Sequence, residues 1–126
     1  MKPGKVGKID DAVISILRLS LDPDTPIFLG KTNIEHMKKE HPEVFAKYGK
    51  KIPEILNNPD YVAKHPRKDS IQYIKIYYDE KKQENVLVAL RASARGICYA
   101  RSIYTITDEK FNVYQSAGTL KKFKRK

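Results

Sequence analysis

The stretch ALRASARGICYARSIY, residues 89–104, decides how this chain folds. Two segments of β-forming residues flank a short Arg95-Gly96 turn, and each carries one arginine, Arg91 or Arg101. With Ser93 opposite Ile97, a hairpin sets Arg91 across from Tyr99 and Ala89 across from Arg101. Both guanidiniums then leave the same face of the sheet as diagonal neighbours. Two fixed cations that close repel each other, and an anion between them relieves the repulsion. The planar guanidinium fork suits a pair of phosphate oxygens. In the competing reading each arginine pairs with a carboxylate of a neighbouring element, such as Glu54 or Asp60.

Period-two alternation continues on both sides of this hairpin. It predicts strands near 60–64, 71–78, 85–93 and 97–107, with residues 79–85 as a polar hairpin loop. Upstream the signals are helical. Asp10 or Asp11 can cap a short helix to about Leu19, with a strand as the competing reading. The turn Asp22-Pro23-Asp24-Thr25-Pro26 leads into a short strand over 27–29. Thr32 and Glu35 have capping-box spacing for a helix that runs to about His41. Pro42 opens another helix, Gly49 is placed to end it, and a third covers about 51–56. A last helical turn is expected over 108–115 and a final short strand over 119–123. This order gives an α+β protein, with N-terminal helices packed on a four- to five-stranded antiparallel sheet. Residues 1–8 read as a loose lead, 9–120 as a single domain and 121–126 as a basic tail. The face bearing Val86, Val88, Leu90, Ala100 and Tyr104 is the more apolar and should lie under the helices. Arg91, Tyr99 and Arg101 then point to the open face.

Charge supports the anion. The 126 residues carry a net +10, and the excess is one-sided. Residues 1–60 hold ten Lys/Arg against nine Asp/Glu, whereas residues 61–126 hold fifteen against six. Phosphate neutralisation dominates nucleic-acid affinity, so a basic strand-rich half is the footprint of a nucleic-acid binder. Lys75, Arg95, Tyr99, Lys121 and Lys122 are the residues expected to hold RNA, by charge and by base stacking. One cysteine, Cys98, can form no internal disulfide and reads as a small core residue of a reducing compartment. No apolar run is long enough to span a membrane, and Asp10, Asp11 and Arg18 break any signal-peptide pattern. Cytoplasm is the expected location. A glycine-rich phosphate loop, a dinucleotide fingerprint and an HExxH motif are all missing, so no cofactor is expected.

Histidine is the side chain suited to proton transfer near neutrality. On the helix after Gly30, Ile34, Met37 and His41 share one side, while His36 and Glu40 lie roughly opposite. Either histidine can be an ordinary surface residue instead. His65, in Lys64-His65-Pro66-Arg67, reads as a solvated loop position. The spacing of the three supports no metal site. Ser93, Ser102, Tyr104 and Thr119 are candidate hydroxyl donors to a phosphate.

Four blocks resemble a known group. Residues 28–42, FLGKTNIEHMKKEHP, are similar to the helical signature of the phage-associated nucleases of the barnase–EndoU–colicin–RelE superfamily. Residues 52–62 (IPEILNNPDYV), 86–91 (VLVALR) and 100–104 (ARSIY) resemble its later blocks, in the same order, within a span of about 27–120. The resemblance implies a fold of N-terminal helices followed by an antiparallel sheet. It also implies metal-independent RNA cleavage by a toxin or a phage or mobile-element module. His36, His41, Arg91, Arg101, Ser102 and Tyr104 occupy positions within those blocks.

The leading expectation is therefore an endoribonuclease that uses the RNA's own 2′-hydroxyl as nucleophile. His36 or His41 would exchange protons, with His41 favoured because the apolar side of its helix should face the sheet and bring it nearer the arginines. Arg91 and Arg101 would hold the phosphate, and Ser102 or Tyr104 would donate in support. Two alternatives use the same charge without catalysis. One is an RNA- or DNA-binding module, and the other is a toxin-like partner of an acidic antitoxin or immunity protein.

Overall fold

The computed structural model describes residues 1–65, 69–80, 82–93 and 95–125. Residues 66–68, 81, 94 and 126 lie outside these. The chain runs β1 (Gly4–Lys8), α1 (Asp11–Leu17), β2 (Pro26–Leu29), α2 (Lys31–Glu40), α3 (Pro42–Tyr48) and α4 (Ile52–Asn57). It continues with β3 (Tyr61–Lys64), β4 (Ser70–Asp79), β5 (Lys82–Ala92), β6 (Cys98–Ile106), α5 (Asp108–Ser116) and β7 (Lys121–Lys122). The fold is α+β, as expected, but the sheet has seven strands in the order β1-β2-β6-β5-β4-β3-β7. It is mixed, because β2 runs parallel to β6. The expected four- to five-stranded antiparallel sheet, with β7 inside the final strand expected over 119–123, is thus extended at one edge by β2 and β1.

The outermost strand of that extension comes from a segment whose sequence carries little strand signal. Gly4–Lys8, read as part of a loose lead, pairs with β2 in antiparallel register from Gly4↔Leu29 to Lys8↔Pro26. At the other edge Lys121 and Lys122 pair with Val62 and Tyr61. The tail continues as a clasp. Phe123 N–H donates to the Asp60 carbonyl at 3.1 Å. Arg125 Nε reaches Asp10 Oδ2 at 2.9 Å, and its Nη2 bonds the Asn57 carbonyl.

Local chemistry explains the helix boundaries. The Asp10 side chain accepts from Ala12 N–H at 2.8 Å and caps α1, which ends at Arg18 in the left-handed region. Helix α2 starts at Lys31, earlier than Thr32 as cap would allow. Its opening is fixed by Gly30 N–H donating to Asn33 Oδ1 at 2.9 Å. Pro42 cannot continue α2, so His41 closes that helix and precedes the next. The predicted 79–85 loop does not form. Asp79 pairs directly with Lys82, and Glu80 turns the chain at φ 55°.

Two cores result. The larger packs α1–α4 on one face of the sheet through Val13, Met37, Ile55, Val86, Val88 and Leu90. The smaller lies on the other face, where Phe111 of α5 covers Leu87, Ile74 and Ile106. Buried Asn85 fixes the entry to α5, donating to the Ile106 carbonyl at 3.2 Å and to Asp108 Oδ1 at 2.8 Å. Helix α5 covers only the part of this second face near its own start. The rest stays open, and the site lies there. Among the described residues, no helix is long and apolar enough to cross a membrane.

Candidate active site

The central hairpin closes as its turn residues require. Ser93 N–H donates to the Ile97 carbonyl at 2.7 Å, and Gly96 takes φ 74°, a conformation that suits glycine. Arg91 faces Tyr99. One residue pair later the register slips. Ala89 pairs with Ser102 and Leu90 with Ala100, which leaves Arg101 as an extra residue in β6. A bulge of this kind re-aims the side chains around it. Before the slip odd-numbered residues of β6 face the open side, and after it even-numbered ones do. Ile103 therefore enters the helix-covered core, and Tyr104 leaves it for the second face, opposite to expectation. The bulge also brings Arg101 and Ser102 to one surface, although they are adjacent in sequence.

That surface is the floor of a cleft of about 990 Å³. Gln72, Ala89, Arg91, Arg101, Ser102 and Tyr104 form its base. Strand β2 pairs with β6 only at Cys98 and Tyr99, so α2 packs along the remaining length of β6 and raises one wall. His36 lines the cleft from that helix. Lys64, His65 and Asp69 form the facing wall, where β3 passes into β4. Three cations, Lys64, Arg91 and Arg101, face one carboxylate, Asp69. The cleft is therefore cationic before its imidazoles are counted.

Among the described residues neither Arg91 nor Arg101 makes an ion pair or a side-chain hydrogen bond. The two carboxylates that could have neutralised them are engaged elsewhere. Glu54 accepts from Tyr77 Oη at 2.8 Å, and Asp60 accepts from Ile76 N–H at 2.7 Å. Both guanidiniums are exposed and have their donor forks available for an anion. Burial pushes the Tyr104 phenol above its ordinary pKa against a smaller opposing pull from Lys110. Tyr104 is therefore a protonated donor throughout the neutral range. Among the described residues no three His, Cys, Asp or Glu side chains converge to hold a metal ion.

The other expected residues are scattered around this cleft. His41 stacks on Tyr104 with ring centroids 5.5 Å apart, and it does not line the cleft. Tyr99 is exposed opposite Arg91, and Arg95 lies in the turn just beyond. Lys75 is elsewhere. It sits on the helix-covered face, pairs with Val86 and donates to the Asn58 carbonyl at 2.8 Å, at the end of α4. Lys121 and Lys122 occupy the far edge of the sheet. Sequence reading passed over Lys64, Asp69, Ser70 and Gln72, and it took His65 for a solvated loop residue. The missed signal is alternation carried one residue past β3. His65 N–H donates to the Ser70 carbonyl at 2.9 Å, and that bond extends the β3–β4 ladder and puts His65 on the open face.

Residues 4–112 match the profile of a family described as phage-Barnase-EndoU-ColicinE5/D-RelE like nuclease3. The chain belongs to this family. The match takes in every residue that lines the cleft of this nuclease, from His36 to Tyr104. No curated protein and no solved structure matches the chain.

Proposed function

We propose that this nuclease is a metal-independent endoribonuclease acting in the cytoplasm, as a toxin or effector of a phage or mobile element. The observation that carries the reading is the pair of carboxylate-free guanidiniums, Arg91 and Arg101, on the floor of a cleft walled by an imidazole. A ribose supplies the nucleophile. His36 takes the proton from the 2′-hydroxyl, and O2′ attacks the adjacent phosphorus. The P–O5′ bond then breaks as an acid of the cleft gives a proton to O5′, leaving a 2′,3′-cyclic phosphate and a 5′-hydroxyl. Negative charge grows on the non-bridging oxygens during the step, and Arg91, Arg101 and the hydroxyls of Ser102 and Tyr104 receive it. His41 is a positioning residue through its contact with the Tyr104 ring. Exposed Tyr99 and Arg95 extend the cleft towards neighbouring nucleotides.

Incubation with RNA in EDTA tests the reading. Fragments ending in 2′,3′-cyclic phosphate are expected, and a single 2′-deoxy substitution should protect the bond beside it. Intact RNA with a retained gel shift would instead indicate a binding module. A cationic cleft of this kind also suits an acidic antitoxin or immunity protein as inhibitor. Expression in bacteria should arrest growth, and an acidic partner that fills the cleft should relieve the arrest.

A further inference from the structure

We propose that His65 is the second proton-transfer group of the cleft, sharing the two proton transfers of cleavage with His36. The proposal rests on the ribonuclease reading above and adds a catalytic residue to it.

Register places His65. Its backbone bond to Ser70 aligns it with a row that crosses the sheet through Ser70, Arg91 and Tyr99. Strand alternation then sends its side chain to the same face as Arg91, and it lines the cleft there. His36 lies beyond the opposite boundary of the floor, on the helix packed against β6. Strands β6, β5, β4 and β3 are successive neighbours. Three spacings of about 4.8 Å separate β3 from β6 by about 14 Å at the backbone, and His36 reaches in from the helix beyond β6. Imidazoles entering from these two sides flank a phosphodiester resting on Arg91 and Arg101.

Chemistry asks for two such groups on opposite sides. In an in-line displacement the entering O2′ and the departing O5′ lie on opposite sides of phosphorus, so one side chain cannot serve both at once. One imidazole accepts the 2′-hydroxyl proton as the O2′–P bond forms. The other, as imidazolium, gives its proton to O5′ as the P–O5′ bond breaks. The groups facing His65 across the cleft are Lys64 and Asp69 on its own wall, Arg91 and Arg101 on the floor, and His36 opposite.

His36→Gln and His65→Gln test the pair, with His65→Asn as a second variant that keeps a short hydrogen-bonding side chain. Each is assayed on ordinary RNA and on RNA whose scissile 5′-oxygen is replaced by sulfur, a leaving group that departs without a proton. On ordinary RNA each variant should lose about 10²-fold or more in kcat with KM little changed. Each should also lose one limb of the wild-type bell-shaped pH profile. One variant of the two, and only one, should recover on the sulfur substrate, which identifies the acid. Wild-type kcat and both pH limbs in His65→Gln or His65→Asn would overturn the proposal, as would loss confined to KM or recovery of neither variant. Wild-type protein that leaves RNA intact would instead overturn the ribonuclease reading itself.

Discussion

Arg91 and Arg101 reach the cleft floor by different routes, one by plain strand alternation and the other as the extra residue of a bulge. Neither is tied into the protein by an ion pair among the described residues, so neither should matter much to folding. Arg91→Ala and Arg101→Ala are each expected to cut kcat by about 10²- to 10³-fold, the usual loss when one preorganised donor to a developing oxyanion is removed. Melting should shift by no more than an ordinary surface substitution would shift it. A large fall in Tm with residual cleavage would mark the arginine as structural. Tyr73 is the converse case. Its ring is fully buried, and its hydroxyl has no hydrogen-bond partner among the described residues. An unsatisfied buried group costs about 1–3 kcal/mol, so Tyr73→Phe should raise stability, as read by denaturant melts. Individual residues were legible where the hairpin turn set the pairing, hence Arg91 opposite Tyr99. Tyr104 was misplaced because nothing in the composition of β6 marks the one-residue slip at Arg101. Lys75 was misread because charge alone does not say which face of a strand a lysine leaves.

At the level of elements, the cleft exists because two of them are short. Strand β2 ends after two paired positions on β6, which admits α2 to the remaining edge, and α5 covers only part of the second face. The anchorage of α5 is therefore a sensitive point. Thr107 Oγ1 accepts from Lys110 N–H at 3.1 Å, and Thr107→Ala should cost about 0.5–2 kcal/mol. Leu87→Ala, beneath Phe111, should cost about 2–5 kcal/mol and leave a cavity between α5 and the sheet. Thermal melts of the two variants check both figures. The helices were readable because Pro42, Gly49 and the Asn-Asn-Pro run punctuate them. Strand β1 was not, since Gly-Lys-Val-Gly-Lys has no alternation and a single apolar residue, Val6. Its backbone pairing with β2 makes it a strand, and that pairing is a tertiary fact.

For the whole molecule, pH acts from both sides. Burial holds the phenols of Tyr73 and Tyr77 above their ordinary pKa, with the Glu54 bond adding to the effect at Tyr77. Groups raised in the folded state contribute stability that is complete below their unfolded pKa of about 10. That contribution is lost as pH rises further, so the protein should melt earlier in strongly alkaline buffer. At the acid end the Lys47 ammonium, with help from the Tyr48 hydroxyl, holds Glu84 below its usual range against partial burial. At Asp10 burial raises the pKa, but the Ala12 N–H and the Arg125 guanidinium together outweigh it. Stability from these lowered groups is present above the ordinary carboxylate range and fades as pH falls through it. Removing residues 121–126 takes away the Arg125 clasp as well as charge, so truncation should lower Tm besides making RNA affinity less dependent on salt. The lysines at the sheet edges have a further consequence. Both boundary strands, β1 with Lys5 and β7 with Lys121 and Lys122, end the sheet in exposed positive charge, while Lys8 of β1 pairs with Asp24 at 3.0 Å. An open strand edge is a template for another copy of itself, and like charge on both borders keeps two molecules from joining their sheets. Lys121→Thr with Lys122→Thr should leave cleavage intact yet drive concentration-dependent self-association, visible as growing light scatter. Part of the basic surplus therefore serves to keep this chain apart from its own copies.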